Sequence, residues 1–157
     1  MNRFTILGIG IALLVLHMVV ASAHGQTDRR ILIDEFKSKV GQAEKAVPST
    51  ENSVFRRQAE KLQAETQRLK NRGTALILDS DAHLEQLRSL KKEALSIKTG
   101  DIGAAAMLRG IMRRLDDLSR RMDENRFQMR KLNDDFQIHL DNLRDLSRRI
   151  RAAQTKK

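Results

Sequence analysis

Residues 108–150 read LRGIMRRLDDLSRRMDENRFQMRKLNDDFQIHLDNLRDLSRRI. Stepping alternately by three and four lands on Leu108, Ile111, Leu115, Leu118, Met122, Asn125, Met129, Leu132, Phe136, His139, Leu143, Leu146 and Ile150. Only Asn125 and His139 break the apolar series. A spacing sustained this long keeps one narrow apolar seam on one side of a helix, and that seam must be buried against another helix. The pattern speaks to architecture and leaves activity open.

Working outward, residues from about Glu51 to Lys98 predict a partner helix. One of its heptad positions reads Phe55, Leu62, Leu69, Leu76, His83, Leu90 and Ile97; the other reads Ala59, Thr66, Gly73, Ser80, Leu87 and Ala94. The first row is large and the second mostly small. Gly73 costs roughly 1 kcal/mol relative to Ala in a helix, so it marks either a weak point or a place where a bulky side chain needs the room. Between the two helices, Thr99, Gly100, Asp101, Ile102 and Gly103 follow a Lys-rich helix end and read as a reversal. An antiparallel pair opposes residues whose numbers share a constant sum. With a sum of 205, Ala94 faces Ile111, Gly73 faces Leu132 and Ala59 faces Leu146, while Ser80 faces Asn125 and Thr66 faces His139. On the flank, Glu93 falls near Arg114 and Arg72 near Asp135. Slipping one heptad sets Glu65 near Asp135 and strands both seam polar residues, a loss of about 1–2 kcal/mol. A parallel homodimer through the last helix opposes Arg121 and Arg126. The expected fold is therefore all-α: an elongated antiparallel coiled-coil hairpin over residues 51–153, with its turn near 99–104 and arms of about 70 Å.

The chain begins differently. After Arg3, an apolar run from Phe4 to Val20 leads into Ala21, Ser22 and Ala23, small residues where a signal peptidase reads, so residues 1–23 predict a cleaved signal peptide and export to a periplasm or medium. The alternative is an uncleaved membrane anchor, since about 20 apolar residues can cross a bilayer. His17 within the run and the basic flank Arg29 and Arg30 favour cleavage. Residues 24–50 then predict a short amphipathic helix on Ile33, Phe36, Val40, Ala43 and Val47, stopped by Pro48, with Ser49 or Thr50 capping the helix that follows. Residues 154–157 form a basic tail.

Composition narrows the function. One Pro, 3% aromatic and 32% charged residues among 157 suit helices and give too few large side chains for a thick core. The net charge is +10, or +9 after residues 1–23 are removed. The absence of Cys removes disulfides, thiolate metal sites and Cys nucleophiles. No carboxylate pair, nucleophile elbow, phosphate loop or zinc spacing occurs, so the expectation is a protein that is not an enzyme and needs no cofactor, metal or small-molecule substrate. His83 and His139 lie about 25 Å apart in height in the hairpin, too far to share an ion. His24, as a new N-terminus, lacks the second imidazole that copper would want.

Two surface features remain. Along one flank of the hairpin every position is polar, but the other carries Ile77, Leu84, Met112 and Leu140. The first helix, folded back from Pro48, would reach only to about residue 70, which leaves Ile77, Leu84 and Met112 as an expected contact with a partner or a second copy. Arginines cluster at Arg113, Arg114, Arg120 and Arg121, and again at Arg148 and Arg149 followed by Arg151, Lys156 and Lys157. Both clusters are candidate anion-binding sites; the plain alternative is that Arg is a good helix former that favours a helix C-terminus. Nucleic acid as a ligand is disfavoured by the expected export and by the lack of Tyr and Trp for stacking.

Three readings follow. The first, which is preferred, is an interaction or scaffold protein of the cell envelope or secreted milieu, working through another protein or through self-association. The second is a holdase chaperone. In outline, a small, basic, exported helical hairpin resembles the periplasmic Skp-type chaperones, although this chain lacks the strand-forming segments by which that family trimerises and shares no motif from which residues can be carried over. The third is a binder of anionic lipid or polyanion surfaces through the Arg clusters.

Overall fold

A computed structural model of the protein describes residues 3–98 and 102–155, with side chains within 3–25 described only at Leu13 and Leu14. Three α-helices make up the fold: α1 (Arg3–Ala46), α2 (Ser53–Ser96) and α3 (Ala104–Gln154), with no strand among the described residues. The side chains of His17, Ala21–Ala23 and His24, together with Thr99, Gly100, Asp101, Lys156 and Lys157, lie outside the described ones. Among the described residues no helix is long and apolar enough to cross a membrane.

Two expectations about element ends are corrected. The short amphipathic helix expected within residues 24–50 forms the C-terminal part of α1, which runs Arg3–Ala46 and ends before Pro48. The cap of α2 is Asn52, not Ser49 or Thr50. Asn52 Oδ1 accepts from Val54 N at 3.0 Å and Phe55 N at 3.4 Å, while its carbonyl accepts from Arg56 N at 2.8 Å. With the helix starting at Ser53, only the residue just before it can reach these free amides. Thr50 is one step removed, its Oγ1 accepting from Asn52 N at 3.3 Å. Gly103, with φ of 86°, stands before α3, and its carbonyl accepts from Ala106 N and Met107 N. That backbone region suits a residue without Cβ.

The chain divides into two compact units: unit 1, Met1–Arg29 with Leu78–Arg126, and unit 2, Arg30–Ile77 with Phe127–Lys157. In unit 2 the three helices surround Ile33, Phe36, Val40 and Ala43 from α1, Leu69 from α2, and Met129, Leu132, Phe136, Leu140 and Leu143 from α3. A smaller cluster of Ala59, Leu146 and Ile150 adjoins Val47 and Phe55. Ascending numbers on α2 meet descending numbers on α3, since Phe55 lies under Arg149, Thr66 bonds His139, and Arg72 pairs with Asp135. Those helices are antiparallel, and the Thr66–His139 and Arg72–Asp135 pairs are the ones that the sum of 205 predicts. α1 runs antiparallel to α2, as Glu44 pairs with Lys70 and Phe36 lies against Gly73, and parallel to α3.

Gly73 has a specific reason to be glycine. A Cβ at this position would stand 2.1 Å from both Cε2 and Cζ of Phe36, far inside the contact distance of carbon atoms. The room it leaves is filled by α1, and Phe36 in turn meets Phe136 edge to face at 5.6 Å.

In unit 1, Leu14 of α1 joins a cluster of Leu87, Leu90, Ala94 and Ile97 from α2 and Ala104, Leu108, Ile111 and Leu118 from α3. Ala94 and Ile111, which the register opposes, are both fully buried. Glu93 pairs with Arg114, again antiparallel. Arg29 of α1 donates to Ser80 Oγ at 2.6 Å and pairs with Asp81.

Candidate functional site

The apolar flank is the first candidate. α1 reaches past the limit of residue 70 set by the sequence: Arg29 bonds Ser80 and Asp81, and Ile77 packs against the unit 2 cluster built on Ile33 and Phe36. Ile77 is therefore half-buried within the chain, and Leu140, on the same flank, is fully covered. Leu84 is half-buried, while Met112 keeps 52% of its surface exposed. Of the expected three, Ile77 falls in unit 2, and Leu84 and Met112 fall in unit 1. Unit 1 also exposes Leu95, Met107 and Ile102, the last of them fully. The cover that unit 1 receives from α1 includes Leu14, only 9% exposed, and Leu14 lies inside the run read as an export segment.

The two arginine clusters prove unlike each other. In unit 1, Arg114 is held by Glu93, whose hydrogen bond raises the guanidinium further above its usual range. Arg113, Arg120 and Arg121 are exposed, but Asp116, Asp117, Asp123 and Glu124 alternate with them along α3. A groove of about 270 Å³ beside them is lined by Gln86, Ser89, Leu90, Arg114, Asp117, Leu118 and Arg121, a mixed surface with one acid between two bases. Arg148 and Arg149 belong to unit 2. Arg149 lies over the Phe55 ring at 5.7 Å to the centroid, which brings the end of α3 against the start of α2. Arg56 and Arg57 follow Phe55 directly and are exposed. Sequence reasoning missed this company, although the sum of 205 already opposes Arg56 to Arg149 and Arg57 to Arg148.

Two polar arrangements sit inside unit 2. Thr66 Oγ1 donates to the Leu62 carbonyl at 3.0 Å and lies 2.7 Å from His139 Nε2. With its one proton given to the Leu62 carbonyl, the Thr66 hydroxyl accepts from His139 when the imidazole is protonated on Nε2. Burial pushes the His139 pKa below the ordinary histidine value, against the opposing pull of Glu65. The second arrangement joins α1 to α3. Asn133, 2% exposed, donates from Nδ2 to the Leu32 carbonyl and to Glu35, and its main-chain carbonyl accepts from Lys39 Nζ at 2.8 Å. Lys39 also pairs with Glu35 at 2.8 Å. Asn133 lies off the heptad seam of α3, so the seam alone gave no signal of it. Among the described residues no three His, Asp or Glu side chains gather as a metal ion would require.

The chain matches no family model, no curated protein and no solved structure. Function therefore rests on its own side chains.

Proposed function

We propose that this protein is an exported, non-enzymatic antiparallel coiled-coil hairpin that offers the apolar flank of unit 1 to another protein of the cell envelope or secreted milieu. The observation that carries the reading is the division of α1 between the two apolar clusters. Unit 2 is covered by Ile33, Phe36, Val40 and Ala43, all beyond the Ala21–Ala23 cleavage signal. Unit 1 is covered by Leu14, which precedes it. Cleavage after Ala23 would leave unit 2 with its three helices and take from unit 1 the segment that carries Leu14. The unit 1 cluster would then lose that cover, and a helix supplied by a partner, meeting Leu84 and Met112, would restore it; an apolar face of this kind is what protein interfaces bury.

The test is to express the full chain in an exporting bacterium, measure the intact mass of the exported product, and sediment it. A product beginning at His24 that associates with itself or with a stoichiometric partner, and loses that association in Leu84→Glu and Met112→Glu, is the expected result. A chain that is retained uncut, or a processed chain that stays monomeric and captures nothing, refutes the proposal. A holdase chaperone would use the same flank. It is distinguished by suppression of aggregation of several unrelated clients without a fixed stoichiometry.

A further inference from the structure

Most of the positive charge belongs to one unit. Unit 2 has 18 basic against 10 acidic residues, whereas unit 1 has 12 against 10. Within unit 2, the stacking of Arg149 on Phe55 and the cluster of Ala59, Leu146 and Ile150 hold the start of α2 to the end of α3. Arg56, Arg57, Arg148 and Arg149 consequently share one layer at the end where the α1–α2 connector lies. All four are exposed, and none makes an ion pair among the described residues. Exposed Lys61 and Arg151 adjoin the layer on either side, against the acids Glu51, Glu60 and Asp145. Four like charges in one layer repel, and an anion relieves the repulsion.

The form of the site indicates which anion. A crevice of about 420 Å³ opens beside the layer, but its lining of Ser49, Thr50, Glu51, Asn52, Phe55 and residues near Ile150 contains an acid and no base. This crevice is therefore no socket for a small anion, and the four exposed arginines present their charge outward. Val54, 61% exposed, adds an apolar side chain at the same end. Nucleic-acid bases would need aromatic faces, and the one ring here, Phe55, is taken by Arg149. We infer that the connector end of unit 2 docks on the phosphate headgroups of an anionic lipid bilayer through Arg56, Arg57, Arg148 and Arg149. This surface lies in the other unit from the proposed protein contact and does not depend on removal of residues 1–23.

The experiment is flotation of the full chain with phosphatidylcholine vesicles, with and without phosphatidylglycerol, at low and raised salt. The readout is the excess binding to anionic over neutral vesicles, which cancels any contribution of the apolar N-terminal run. At about fivefold per charge near a membrane surface, Arg56→Gln with Arg57→Gln, and separately Arg148→Gln with Arg149→Gln, should each cut the excess by roughly 10- to 30-fold. Arg148→Lys with Arg149→Lys should retain most of it, and Arg113→Gln with Arg120→Gln should change it less than about threefold. Equal binding to both vesicle types overturns the inference. So does an equal loss in the Arg113 and Arg120 variant, and so does tight binding of soluble polyphosphate without excess binding to anionic vesicles.

Discussion

Replacing Gly73 with Ala should destabilise the protein, and the sign of the effect is the test. In a helix with nothing against it, Gly→Ala gains about 1 kcal/mol. Here the new methyl would lie 2.1 Å from two ring carbons of Phe36 and 2.9 Å from a third. Ordinary carbon contacts are about 3.5–4.0 Å, so the ring has to retreat by roughly 1.5 Å. It has little freedom to do so. Phe36 is 4% exposed, its edge is set against Phe136, and α1 is tied to α3 on either side of it by Asn133 to Leu32 and Lys39 to Asn133. Overpacking of this kind costs about 1–3 kcal/mol, and loss of a buried Phe contact up to about 5 kcal/mol. Setting about 3 kcal/mol of strain against the propensity gain leaves a net loss of about 2 kcal/mol. Urea denaturation followed by circular dichroism would show it as a lowered midpoint at unchanged slope. Gly41→Ala and Gly110→Ala, where a Cβ would meet nothing within 4 Å, are internal controls and should stabilise. Phe36→Leu combined with Gly73→Ala should cost less than the two changes added together. A Gly73→Ala variant as stabilised as the controls would refute the placement of α1 against α2.

Other outcomes follow from single contacts. Asn52→Ala should cost about 1 kcal/mol of stability and Thr50→Ala distinctly less, reversing the expectation from sequence; the same denaturation midpoints decide it. His139 is held below its ordinary pKa by burial, so its contribution to stability is complete above the unfolded histidine value and is lost as pH falls through the folded pKa. Denaturation at neutral and mildly acidic pH should therefore show a loss in the wild type that His139→Gln reduces. Asn133→Ala removes the buried amide that joins α3 to Leu32 and Glu35 and should cost about 1–2 kcal/mol. Arg130→Ala, exposed on the same helix, should change little.

The relation of α2 to α3 was legible because its clues were complementary. Small residues at Ala59 and Ala94 need large ones opposite, and the polar Thr66 and His139 need each other, so few registers satisfy all of them; Gly73, read with them against Leu132, is met most closely by Phe36 of α1. The start of α1 was not legible, since the apolar run from Phe4 reads first as a targeting segment and its helical continuity through Arg29 carries no heptad signature. Asn52 escaped notice because capping depends on the first helical residue, which propensity places only to within a turn. The Asn133 contacts escaped because they need a third helix whose direction the heptads of α2 and α3 do not state. The joining of Arg56 and Arg57 to Arg148 and Arg149 follows from the register only when charges are compared across the helix pair, because neither helix alone holds more than two of the four.

The division of α1 between two clusters also shapes how the molecule opens. Local opening free energies track how much apolar contact each segment shares with its neighbours. Were residues 1–23 removed, as proposed, amide hydrogens around Phe136 and Leu143 would remain shielded by α1 and exchange with deuterium at the slowest rates. Those around Leu90 and Ile111, relying on two helices, would exchange faster until a partner binds. Deuterium uptake along α3 would thus step between these segments and level out on complex formation, which makes the isotope profile a direct gauge of occupancy at the flank of Leu84 and Met112.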